Sequence, residues 1–67
     1  MVYTAVIHEE DGWFVAECPE TGSTSQGRTI KKAVENLKEA TALYLEEFPQ
    51  TSVSRPLVTT FEIPAYA

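Results

Sequence analysis

The sequence predicts a small α+β domain of order β-β-β-α-β, an antiparallel sheet with one helix packed on one face. Two observations carry this. Residues Thr29 to Pro49 (TIKKAVENLKEATALYLEEFP) form the one long stretch with helical periodicity, and short β-rich runs flank it on both sides. An amphipathic stripe and a half-apolar sheet each need a surface to cover, and packing one on the other satisfies both.

The first run, Val2 to His8 (VYTAVIH), is rich in β-branched and aromatic residues and reads as a strand. Glu9-Glu10-Asp11-Gly12 follows, and Asp-Gly is a strong hairpin signal because both residues tolerate positive φ. Trp13 to Cys18 (WFVAEC) is the second strand, ended by Pro19, which cannot donate to a ladder. A two-residue loop pairs Glu10 with Trp13, and a four-residue loop pairs His8 with Trp13. Either places Tyr3, Ala5, Ile7, Phe14, Ala16 and Cys18 on one face and Val2, Thr4, Val6, His8, Trp13, Val15 and Glu17 on the other, whereas a three-residue loop would reverse the combination. The first set is apolar and should meet the helix.

Pro19 to Gly22 is a turn, Ser23 to Gln26 a short third strand, and Gly27-Arg28 the lead into the helix. Thr29 is suited to N-cap the helix, its hydroxyl accepting from a first-turn amide. Ile30, Ala33, Val34, Leu37, Ala40, Thr41, Tyr44, Leu45 and Phe48 form the stripe, and Pro49 stops it. This stripe is expected to be used up in covering Tyr3, Ile7 and Phe14. Gln50 to Pro56 reads as a loop, Leu57 to Ile63 (LVTTFEI) as a final strand, and Pro64 to Ala67 as a tail.

Sixty-seven residues make one domain, 1–67, with a marginal core. One cysteine excludes an internal disulfide, and one histidine beside it argues against structural zinc. Self-association, as a dimer or larger, is the remaining way to stabilise so small a scaffold. A lone thiol and the absence of a signal-like or membrane-spanning run point to the cytoplasm. The net charge of −5 argues against direct nucleic-acid binding and suits a basic partner.

No catalytic, cofactor or metal constellation emerges. Two-metal chemistry needs converging carboxylates, whereas the strand acids are only Glu17 and Glu62, both at outward positions. His8 and Cys18 fall on opposite sheet faces and cannot pair. Ser25-Gln26-Gly27 lacks the glycines and lysine of a phosphate loop; Gly27 reads as a tight-turn residue. Candidate interface residues are Val6, Trp13 and Val15 on the sheet face away from the helix, with Tyr66 able to cover part of it. The acidic hairpin tip Glu9, Glu10 and Asp11 is a second candidate, against its plain role as a soluble turn. Leu43, which falls on the helix's polar side among Lys32, Asn36, Glu39 and Glu47, is the third.

Tyr3 to Ile7, Asp11 to Ala16, Cys18 to Glu20, Ser25 to Gly27 with Thr29, then Ala33, Asn36, Glu39-Ala40 and Leu43 to Glu47 together resemble the HicB-like antitoxins. The likeness covers about residues 3 to 48. It implies a partial ribonuclease-H-like fold, no catalysis of its own, and binding to a small HicA-type toxin that cleaves RNA. Full-length members carry a C-terminal DNA-binding segment, which the residues after Phe48 are too few to form, so DNA binding is not expected. A self-associating structural or small-molecule-binding module without a toxin is the alternative.

Overall fold

The computed structural model describes residues 1–50 and 55–65. Four elements follow one another: β1 (Val6–Glu10), β2 (Trp13–Cys18), β3 (Ser23–Gly27) and α1 (Ile30–Glu47). The strands form one antiparallel sheet of order β1-β2-β3. The helix lies over β3 and β2 and leaves β1 largely uncovered.

The first hairpin closes through the two-residue loop. Glu10 pairs with Trp13, His8 with Val15 and Val6 with Glu17. Asp11 and Gly12 both hold positive φ, 48° and 80°, which matches the right-handed twist of the flanking strands. The faces separate as the register requires. Ala16 and Cys18 are fully buried under the helix, while Val6, His8 and Glu17 are exposed on the other side.

β1 starts at Val6, not Val2, and runs on to Glu10, not His8. Its partner sets the length. β2 ends at Cys18, opposite Ala5, and the chain then curls through Pro19–Gly22, so residues before Ala5 have no strand to pair with. The Glu20 side chain substitutes for the missing ladder: its carboxylate accepts from the Thr4 amide at 2.9 Å and the Thr4 hydroxyl at 2.8 Å. In the second turn, the Cys18 carbonyl accepts from the Gly22 amide at 2.8 Å, with Gly22 at φ 77°.

Thr29 caps α1, its hydroxyl accepting from the Lys32 amide at 3.0 Å. Two side chains join the helix to β3: the Ser25 hydroxyl donates to the Ala33 carbonyl at 2.8 Å, and the Asn36 amide to the Gln26 carbonyl at 2.9 Å. A Cβ on Gly27 would lie 2.7 Å from the Ala33 nitrogen and 2.9 Å from the Lys32 carbonyl carbon. Gly27 is therefore needed for close helix–strand approach rather than for the tight turn that sequence suggests. The Ser-Gln-Gly-x-Thr run is a docking device for α1, with each residue holding or admitting one point of the helix.

The core is small. Ala16, Cys18, Ala33 and Leu37 are buried, Thr41 joins them, and Tyr3, Ile7 and Phe14 pack partly against them. The stripe is not used up as expected: Ile30 is 52% and Phe48 57% exposed, the latter leaning on Tyr44 with ring centroids 5.0 Å apart. The reason is that only small side chains lie beneath the helix, so the ends of the stripe overhang. The expected final strand is a second difference. Leu57 to Ile63 is described, but it pairs with no strand and is exposed throughout. Of the expected loop 50–56, residues 51–54 lie outside the described residues, as does Tyr66.

Candidate functional site

The outer sheet face is built by register. Glu10 and Trp13 face each other across the β1–β2 ladder, as do His8 and Val15, and Val6 and Glu17. Side chains of directly opposed residues share a face, so Val6, Trp13 and Val15 stand together with His8, Glu10 and Glu17. Trp13 and Val15 are half-buried and Val6 is 44% exposed.

Trp13 is not bare. The Arg28 guanidinium stacks over its ring, 4.0 Å from the centroid. This contact escapes a residue-by-residue reading, but register holds the signal. Phe14 pairs with Gly27, so the next residue, Arg28, falls opposite Trp13 and on its face. The stack places a cation beside an otherwise acidic surface and is worth about 0.5–1 kcal/mol at an exposed site.

The hairpin tip carries Glu9, Glu10 and Asp11, all exposed. Glu10 and His8 project from the same face, with the imidazole Nε2 3.4 Å from the carboxylate, a pair that is ionic only when His8 is protonated. Glu9 shares the helix-side face with Phe14, yet stays solvated because α1 does not extend over β1. The tip is therefore acidic on both faces. Leu43 is 59% exposed on the back of α1. The helix packs through Ala33, Leu37 and Thr41 on the inner face, so Leu43 points to the opposite side of the molecule from Trp13. The structure unites Val6, Trp13, Val15 and the acidic tip, and leaves Leu43 apart.

His8 and Cys18 are separated by the sheet. The Cys18 thiol is buried and donates to the Glu20 carboxylate at 3.4 Å. Desolvation raises the Glu20 carboxyl. The hydrogen bonds from the Thr4 hydroxyl, its own backbone amide, the Cys18 thiol and the Thr4 amide together outweigh that and hold it below the usual glutamate range. Glu20 is a structural clamp between the N-terminal segment and the β2–β3 turn, a role not assigned to it from sequence. Among the described residues, no three His, Cys, Asp or Glu side chains are grouped to hold a metal ion, and no helix is long and apolar enough to cross a membrane.

A groove of about 390 Å³ opens on the other side, between the N-terminal segment and the helix. Its walls are mostly apolar: Met1, Tyr3, Ala5 and Cys18 on the sheet side, Val34, Leu37, Ala42 and Leu45 on the helix side. The Thr41 hydroxyl lies in this lining, buried and without a hydrogen-bond partner. The groove was not foreseen from sequence, because it follows from helix placement rather than from any motif.

These features define a small α+β domain with an open outer sheet face, an acidic tip and an apolar groove. Residues 3–61 match the model of a family of unknown function, DUF7387, and the chain belongs to it. It is similar to the UPF0150 protein Ta0767 of Thermoplasma acidophilum, 36% identical over 69 aligned residues that take in all of both chains. It is also similar to two UPF0150 proteins of Synechocystis. One, ssr1258, is 36% identical over 53 residues, 78% of this chain and 77% of the relative. The other, ssr1765, is 44% identical over 46 residues, 66% of this chain and 58% of the relative. No solved structure matches.

Proposed function

We propose that this chain is an antitoxin-type binding module, without catalysis of its own, that docks on a small basic RNA-cleaving protein of the HicA type and hides its active residues. The observation that carries this reading is the contiguous surface of Trp13, Val15 and Val6 beside the exposed acids Glu9, Glu10 and Asp11. An apolar centre that carries Arg28 on Trp13 and has the acidic tip at its end suits a basic partner: burial supplies affinity, and the opposite charge of the tip supplies steering and orientation. The sequence resemblance to HicB-like antitoxins and the net charge of −5 support the same reading. It places the chain in the cytoplasm, where such a partner would act on RNA.

Co-expression with the product of the adjacent gene, followed by size-exclusion chromatography, tests it. The neighbour should be small and basic and carry a catalytic histidine, and the two should co-elute. Replacing Glu9, Glu10 and Asp11 together by lysine should slow association and weaken the complex by roughly tenfold or more, with a smaller effect at high salt. Separate elution of wild-type chain and neighbour would overturn the reading. The exposed Leu57–Ile63 segment favours a second reading, a self-associating module without a toxin, in which the isolated chain oligomerises and no neighbour co-elutes.

A further inference from the structure

We propose that Leu57–Ile63 of one copy enters the apolar groove of a second copy and lies along the N-terminal segment that leads into β1, and that the exchange is reciprocal. This inference stands apart from the antitoxin reading, because it concerns the isolated chain.

Three observations meet here. First, the segment has the make-up of a strand but no place in its own sheet. Its alternation puts Leu57, Thr59, Phe61 and Ile63 on one side. Leu57 is 98%, Phe61 83% and Ile63 75% exposed. Four of its seven residues are large and apolar, and water is a poor resting place for them. Second, a receptor exists. β1 pairs with β2 on one side only, and its other edge offers unpaired backbone groups. The groove continues from that edge's N-terminal end, between Met1, Tyr3, Thr4 and Ala5 before β1 and Val34 and Leu45 of α1. Third, the groove holds an unmet polar demand. Thr41 is 6% exposed, and its hydroxyl has no partner. A buried hydroxyl without a hydrogen bond is destabilising. Thr59 shares the incoming face with Phe61 and brings a hydroxyl to the wall that Thr41 lines.

A second copy is the occupant for reasons of shape. The segment stands away from its own groove, since every residue from Leu57 to Ile63 is exposed. The radius of gyration is 14.2 Å, against about 11 Å for a compact chain of this length. Exchange of an identical element closes under two-fold symmetry and uses each groove once. Main-chain bonds to the segment leading into β1 would supply affinity, and the alternate side chains would fix register. It would also supply the stabilisation that so small a core lacks.

The test is multi-angle light scattering on the full chain, with amide hydrogen exchange. Wild type should have twice the chain mass, with amides of Leu57–Ile63 protected. Phe61→Asp and, separately, Val34→Asp should each raise the dimer dissociation constant at least roughly tenfold. Both residues are exposed in the single chain, so circular dichroism should show an unchanged fold. A mixture of the two variants should restore a heterodimer, since one supplies an intact groove and the other an intact strand. Monomeric wild type, a dimer indifferent to Phe61→Asp, or unprotected amides in the segment would each overturn the proposal. Protection of those amides in a monomer would show the strand folding into its own groove, and would also overturn it.

Discussion

Gly27 shows how much of this fold rests on a single missing side chain. Its neighbours across the gap are the helix backbone at Ala33 and Lys32, which cannot rotate away as a side chain could. Gly27→Ala should therefore destabilise the domain by about 1–3 kcal/mol, read as a lower urea midpoint. An unchanged midpoint would show that α1 can shift outward without penalty. Glu20 contributes to the response to acid. Its carboxyl is held low in the folded state, so its contribution is present above the unfolded glutamate value of about 4.3. It is lost as pH falls through the folded value. In Glu20→Gln, melting temperature should fall less steeply with acidification below about pH 4.3 than in wild type. Parallel curves would remove Glu20 from this role. Trp13 illustrates a legible residue with an illegible partner. Its face follows from the Asp-Gly loop alone, but Arg28 over its ring requires knowing that β3 runs on to Gly27.

At the scale of elements, what could be read from the chain divides by how local the cause is. The Asp11-Gly12 turn, the span of β2, the cap at Thr29 and the stop at Pro49 each rest on neighbouring residues, and each is found where the sequence places it. The start of β1 is not local. It is set by where β2 stops and by a carboxylate from the far side of a turn. Leu57–Ile63 is the sharpest case. Composition reads it as a strand, but a strand needs a pairing partner, and the segment pairs with neither free edge of its own sheet. The helix shows the complementary point. Its stripe is plain in sequence, yet what lies beneath it is Ala16 and Cys18 rather than large residues. Only the middle of the stripe is buried. Leu37 is the largest apolar side chain on the buried stretch of α1. Leu37→Ala should cost about 2–4 kcal/mol, which is most of the stability a domain of this size holds. Chemical denaturation checks this, and a loss below about 1 kcal/mol would mean that Leu37 does not anchor the helix.

At the scale of the whole molecule, the domain has more apolar surface than it can cover by itself. The outer face around Trp13, the groove beneath α1 and the segment Leu57–Ile63 are separate surfaces, and they support separate assignments. The groove and the segment are the pair proposed to meet across two copies. The outer face and the acidic tip stay free in such a dimer, which leaves them available to a basic partner. None of this was visible as a motif. The acidic balance and the exposed tip residues could be read directly, whereas the groove depends on α1 lying over β3 and β2 instead of β1.

Growth rescue tests the central claim most directly. The adjacent gene product, induced alone, should arrest growth, and co-induction of this chain should restore it. The chain with Glu9, Glu10 and Asp11 replaced by lysine should restore it poorly at equal abundance. Continued arrest in the presence of abundant, folded wild-type chain would contradict the account.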